Sequence, residues 1–331
     1  MSTPPTELAR TVPSPQLAHL EQVADRVRDY AAAARAPNTV RAYRSDWKDF
    51  TTWCSSAGLQ ALPASGDTVA LYLASLAETH KTATLQRRIS AIAQAHKLAG
   101  HESPTASPKA RMVWAGIRRT HGTAQEGKAP ALVEDIRAMV RVMAPRRGKD
   151  WRLLDLRDRA ILLLGFAGGF RRSELVGLDV EDLQISRAGV VVRLRRSKTD
   201  QEGQGRKIGI PRGQLAETCP MGALQAYLQQ AGIDSGAIFR GINRHGQLQG
   251  RLSGEAVALV VKRRVEAIGL DPDQFAGHSL RAGLATSAAT AGASERAIAN
   301  QTGHKSMLIL RRYIRDGELF GAGNAAAVAG L

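Results

Sequence analysis

Cysteine is nearly missing from this chain of 331 residues: only Cys54 and Cys219 occur, far apart and without metal-ligand spacing. Their scarcity excludes a disulfide or zinc framework and points to a reducing compartment, the cytoplasm. No stretch approaches the roughly 18 apolar residues of a membrane span. The segment Met1 to Gln16 is rich in Pro, Ser and Thr and has no apolar signal-peptide core. A soluble protein without a membrane partner is expected. Internal repeats and heptads are lacking too, and no carboxylate cluster suits two-metal chemistry. Acidic residues are scarce beside basic ones, 30 Asp and Glu against 46 Lys and Arg, giving a formal net charge of +16 and a pI near 10.6. Such a molecule is drawn to polyanions, nucleic acid first among them, although a solvated basic surface produces the same imbalance.

What is present reads as two domains, since the usual size is roughly 150 residues each. Residues 1–14, with Pro4, Pro5 and Pro13, are too polar to offset the entropy of ordering and form a disordered arm. Leu17, Leu20, Val23, Val27 and Tyr30 then recur at helical spacing. Pro37-Asn38-Thr39 supplies a break and a cap for a second helix whose buried face is Val40, Tyr43, Trp47, Phe50 and Cys54, with Gly58 ending it. Ser65-Gly66-Asp67 caps a third. A fourth runs from Thr82 to Leu98 on Leu85, Ile89, Ile92 and His96, and Ala110 to Ile117 is a short amphipathic piece ending in Arg118-Arg119. The stretch 122–130 is the domain boundary. Beyond it, helices are predicted near Leu132–Val142, Leu154–Phe166, Met221–Ala231 and Gly254–Ile268. A hairpin of Gly189–Leu194 and Lys207–Pro211 has a polar, glycine-bearing loop over 197–205. The tail from Gly317 to Leu331 is too small and apolar to stand alone and is expected to dock.

Several residues of the second part bear chemistry. Arg171 follows Gly168-Gly169-Phe170, with Glu174 three residues on to orient it. His278 and Arg281 stand three apart, on one helical face. His304 follows Thr302-Gly303, and Tyr313 comes nine residues later. Lys198 lies in the hairpin loop. Each has an ordinary explanation when taken singly: an exposed ion pair, a loop histidine, a rim tyrosine, a solvated lysine.

Together, and in this order, they resemble the catalytic signature of the tyrosine recombinase (phage integrase) family. Asn38–Leu59 and Thr82–Pro104 look like the core-DNA-binding helices of its Cre-like and Xer-like members, and Gly168–Asp316 looks like the catalytic domain. The resemblance implies a fold that is mainly α with a small antiparallel β-sheet. A helical core-DNA-binding domain, a SAM-like bundle over 15–121, would be joined by the linker 122–130 to an α+β catalytic domain over 131–331. It also implies roles. Arg171, Arg281 and His304 would clamp the non-bridging oxygens of a phosphodiester, Glu174 would fix Arg171, and His278 would assist proton movement. Lys198 would protonate the departing 5′ oxygen and Tyr313 would be the nucleophile. A single donor to a developing oxyanion contributes on the order of 3 to 4 kcal/mol, so several must converge. A tyrosine hydroxyl ordinarily titrates near pH 10 and needs cations to stabilise its phenolate.

A 3′-phosphotyrosyl intermediate, a four-way junction and a homo-tetramer on double-stranded DNA follow from the same resemblance, with neither metal nor other cofactor required. Arg41, Arg44, Arg87, Arg88, Arg118 and Arg119 would be available to the DNA. The protein would be cytoplasmic and nucleoid-associated when bound. Two other readings share these residues: a type IB topoisomerase, against which the compact helical N-terminal part argues, and a catalytically silent DNA-binding regulator of the same fold.

Overall fold

The computed structural model describes residues 36–124, 127–145, 150–195, 197, 200, 204–318 and 325–329, and isolated helical positions at 19, 23, 25–27 and 30. The chain divides into two units, Met1–Glu126 and Gly127–Leu331. The disordered arm expected over 1–14 and most of the first helical stretch lie outside the described residues.

In the first unit, helix α1 (Pro37–Ser56) begins with proline in its first turn, where the missing N–H costs nothing. Neither Asn38 nor Thr39 caps it, contrary to expectation: Ala36 holds the cap position without a side-chain bond. Gly58, at φ 66°, turns the chain away afterwards. Helix α2 (Gly66–Leu76) is capped by Ser65, whose Oγ accepts from the Thr68 amide at 3.0 Å. Helix α3 spans Thr82–Leu98. Helix α4 (Pro108–His121) is longer than its apolar pattern suggests, because Ser107 caps it and Pro108 opens it. The four pack around Phe50, Cys54, Val69, Tyr72, Leu73, Leu85, Ile92 and Ile117, with Phe50 edge-on to Tyr72 at 5.0 Å between ring centroids.

This core also holds charge. Arg87 makes a two-pronged pair with buried Asp46, at 2.7 and 2.9 Å. Arg88, itself buried, donates to both Asp49 and the Tyr72 hydroxyl. Burial raises the Asp49 pKa, but the bonds it accepts from the Tyr72 hydroxyl, at 2.6 Å, and from Arg88 outweigh it and hold the carboxylate below its usual range.

In the second unit, helix α5 (Val133–Met143) precedes α6 (Leu153–Ala167), which is buried along Leu156–Leu164. Because α6 has no solvent face, its Asp158 must be neutralised inside. Arg157, Arg263 and Arg264 all donate to it, and Asp155 takes a further bond from Arg264 at 2.7 Å. A short helix α7 (Arg172–Val176) leads to an antiparallel sheet of β1 (Leu183–Ile185), β2 (Gly189–Leu194) and β3 (Arg206–Pro211), in that order. Val190 and Val192 face Ile210 and Ile208 across the β2–β3 register, and the row ends with Leu194 opposite Arg206. Helix α8 (Pro220–Ala231), the hairpin β4 (Arg240–Ile242) with β5 (Leu248–Arg251), and α9 (Gly254–Glu266) complete the larger core.

Helices α10 (Ser279–Thr290), α11 (Glu295–Thr302) and α12 (Met307–Glu318) share a separate small core of Ala285, Ala289, Ile298, Leu310 and Ile314, against which Tyr313 packs. The short α13 (Ala325–Val328) is what is described of the tail, and the docking expected of it falls largely on residues outside the description. The fold is mainly helical with small antiparallel sheets, as expected. Among the described residues, no helix is long and apolar enough to cross a membrane.

Candidate active site

Four chain segments bring side chains to one spot in the second unit. The first is the turn after α6, where Gly169 takes a φ of 57° that L side chains rarely adopt, and a Cβ there would press on Leu284 and Thr302 at 3.0 Å. This turn delivers Arg171 to the head of α7. Glu174, buried one turn on, accepts from the Arg171 backbone N–H at 2.9 Å and from its Nη1 at 2.5 Å, so one carboxylate fixes both the main chain and the guanidinium.

The second segment is α10. His278 occupies its N-terminal cap, and Arg281 lies inside the fold with only 1 % of its surface exposed. Nη1 of Arg281 donates to the carbonyls of Gly169, at 2.7 Å, and of Thr302. Its Nε and Nη2 are buried without a hydrogen-bond partner. Burial first, then the neighbouring Arg171, pushes the Arg281 pKa down to about 10.

The third segment is the end of α11. Gly303, at φ 68°, ends that helix and aims His304 back into the site. His304 Nδ1 lies 2.7 Å from Thr302 Oγ1. Its pKa falls to about 3, through burial and through the surrounding Arg281, Arg171, His278 and Arg206. The fourth is α12, whose Tyr313 hydroxyl is 3.1 Å from His278 Nε2, with its ring centroid 6.0 Å from that of His304.

The structure therefore gathers Arg171, Glu174, His278, Arg281, His304 and Tyr313. It also adds Arg206, which the sequence reading missed. From the first position of β3, its guanidinium donates to the carbonyls of Asn300, Gln301 and Thr302 at 3.0, 3.2 and 3.2 Å. Burial and the nearby Arg171 lower its pKa against the pull of Glu174. No local pattern marks Arg206, since its partners lie more than ninety positions away. Lys198 lies outside the described residues. Its neighbour Arg195 is taken up by Asp182 and Asp179, at 2.7 and 3.3 Å.

The phage integrase family matches residues 134–318, and the N-terminal SAM-like domain of phage integrases matches residues 29–103. The chain belongs to the phage integrase family. Like other members of that family, it is a tyrosine recombinase by kind. An integrase/recombinase xerD homolog of Selenomonas ruminantium is 42% identical over 291 residues, which is 87% of this chain and 84% of the relative. A tyrosine recombinase XerC of Myxococcus xanthus is 29% identical over 287 residues, 84% and 87% of the two chains. Among solved structures, the Tn1549 transposon integrase in complex with transposon right end DNA shares the fold at a TM-score of 0.61 and 14% identity, over 93% of this chain and 96% of that one. A lambda integrase dimer bound to a COC′ core site aligns at 0.57 and 18% identity, over 89% and 95%.

In the SAM-like unit of this recombinase, the arginines expected to meet DNA fall into three groups. Arg41, Arg44, Arg118 and Arg119 are exposed, with Arg118 resting over the Trp114 ring at 5.7 Å. Arg87 is half-exposed and paired with Asp46. Arg88 does not fit the expectation: it is buried, with Nη1 donating to Asp49 and the Tyr72 hydroxyl and Nη2 beside His80, so it is placed to hold the unit together rather than to meet a phosphate.

Proposed function

We propose that this enzyme is a site-specific recombinase that cleaves and rejoins DNA through a 3′-phosphotyrosyl link to Tyr313. The observation that carries the reading is Arg281, a guanidinium enclosed by protein that keeps two donors unpaired beside Arg171 and His304. A buried donor without a partner costs about 1 to 3 kcal/mol. Such a cost is repaid when the non-bridging oxygens of a phosphodiester accept from it, and repaid most as charge builds there in the transition state.

In this scheme Tyr313 Oη attacks phosphorus and the O5′–P bond breaks. The phenol proton passes to His278 Nε2, already within hydrogen-bond distance. Arg171, held by Glu174, and Arg281 take the non-bridging oxygens with His304, and Lys198 gives a proton to the leaving O5′. Attack by a 5′ hydroxyl of a second duplex then restores a phosphodiester, by way of a four-way junction. Two duplexes cut on both strands call for four active sites, hence a homo-tetramer on double-stranded DNA, formed in the cytoplasm on the nucleoid. The DNA-bound relatives of the same fold support the nucleic-acid partner.

The test begins with DNA trapped covalently on the chain in cells and sequenced to give its site. On a nicked suicide duplex of that site, the wild-type chain should form an adduct that survives denaturant. Tyr313→Phe should bind the duplex and form none. An adduct with Tyr313→Phe assigns the nucleophile to another residue and overturns the scheme.

A further inference from the structure

Thr302 is buried at the junction of the site, and its hydroxyl has one hydrogen but two neighbours within reach: the Ile298 carbonyl at 2.6 Å and His304 Nδ1 at 2.7 Å. A carbonyl can only accept. The hydroxyl hydrogen is therefore committed to Ile298, and the bond to His304 requires Nδ1 to carry a proton and donate to Oγ1. A neutral imidazole protonated on Nδ1 has a bare lone pair on Nε2, the ring atom left to face a reactant. The same logic holds at His96 in the first unit, where Nε2 accepts from the Ala64 amide and Nδ1 donates to the Ile92 carbonyl.

A lone pair on Nε2 is the wrong partner for a phosphodiester oxygen, which is itself an acceptor. We propose that Thr302 is a positioning residue for His304: its hydroxyl fixes the imidazole proton on Nδ1, and the ring meets a bound phosphodiester by taking a second proton, from water, on Nε2. This rests on the reading of the site as a phosphodiester centre. In the free protein the charges around the ring oppose that second proton: Arg281 from α10, Arg171 from the head of α7, His278 from the α10 cap and Arg206 from β3, while Lys305, next in the chain, is exposed. Glu174 is the carboxylate that acts on the same arginines, and Tyr313 of α12 is the neighbouring phenol. A phosphodiester anion placed among these cations cancels part of their field and raises the proton affinity of Nε2. Protonated, His304 donates from both nitrogens, to Thr302 and to the phosphate, without turning the ring.

The Thr302 hydroxyl can be tested apart from its backbone, because Arg281 and Arg206 use only the carbonyl of this residue. In long-range proton–nitrogen spectra of the full chain labelled on histidine nitrogen, assigned with His304→Gln, free wild-type protein should show His304 with Nδ1 protonated and Nε2 as a bare imine. Thr302→Ser should keep that pattern. Thr302→Val, which has the shape without the hydroxyl, should move the ring toward the Nε2-protonated form. Calorimetry in two buffers of different ionisation heat at mildly acidic pH reads the second part. Tyr313→Phe binding its DNA site should take up protons, and adding His304→Gln should abolish most of that uptake. An Nε2-protonated ring in free wild-type protein, or equal uptake with and without His304, overturns the proposal. Either result leaves the adduct at Tyr313 untouched, whereas a missing adduct would sink the phosphodiester reading while leaving the tautomer as measured.

Discussion

At the scale of single residues, His304 shows how a site of like charges sets protonation. Its ordinary pKa of about 6.5 falls to about 3 in the folded chain, so the folded state resists a proton that the unfolded chain accepts. Above pH 6.5 both states are neutral at this ring and the stabilisation is fully present. As pH falls from 6.5 toward 3, the unfolded chain binds the proton first and folding stability declines, by at most about 1.4 kcal/mol per pH unit. Solvent reaching the half-buried ring makes the real slope smaller. His304→Gln removes this titration, so its urea midpoint should fall less between pH 7 and pH 5 than that of the wild-type chain. Parallel declines would show that the ring is not held neutral by its surroundings. Glu174 answers the opposite problem, since a guanidinium fixed at its main chain and its head by one carboxylate meets a phosphate already ordered.

At the scale of elements, the clasp between β3 and the end of α11 positions the loop that carries His304. The last carbonyls of a helix have no partners within it, and Arg206 supplies three bonds to Asn300, Gln301 and Thr302. Gly303 completes the fit, since a Cβ there would lie 2.7 Å from the Arg206 guanidinium carbon. Arg206→Ala should therefore lower the unfolding free energy by about 1 to 3 kcal/mol and slow strand cleavage, with DNA affinity nearly kept. Arg206→Lys should recover little, because an ammonium cannot match a fork of donors to three carbonyls. Urea titration and single-turnover cleavage check both, and a neutral Arg206→Ala would remove the clasp from the account.

The same clasp shows where sequence reading stops. Helix α3 was legible to its end residues because Leu85, Ile92 and His96 repeat on one face, and the β2–β3 hairpin was legible because alternating valines and isoleucines bracket a polar loop. Strands β1, β4 and β5, three or four residues long and without a fully buried residue, carry no alternation and were not seen. The charges of α6 were hidden for another reason: beside the local Arg152 and Arg157, the burial of Asp155 and Asp158 depends on Arg263 and Arg264 of α9, over a hundred positions later. The candidate site was legible as an ordered set of residue types, while Arg206 and the Thr302 hydroxyl act through contacts that local pattern cannot encode.

At the scale of the whole molecule, a net charge of +16 predicts strong attraction to a duplex, but not every arginine contributes equally. Arg88, Arg157 and Arg264 are neutralised inside their units by Asp49, Asp158 and Asp155, and Arg195 and Arg251 are paired with Asp179 and Asp182. Arg41, Arg44, Arg118 and Arg119 are exposed on the SAM-like unit. Each arginine that replaces a counterion on a phosphate steepens the fall of log affinity with log salt by about 0.9. Alanine at all four positions should therefore flatten that slope by roughly 3 to 4 and weaken specific and unrelated duplexes alike, as read by fluorescence anisotropy across a salt series. Arg88→Ala should leave the slope unchanged and lower the thermal midpoint instead, because it empties a buried position beside Tyr72 and removes the charged donor to the Tyr72 hydroxyl and to the half-exposed Asp49. A quadruple variant with an undiminished slope would move the phosphate-binding face away from α1 and α4. A change confined to the specific site would make these arginines readers of bases.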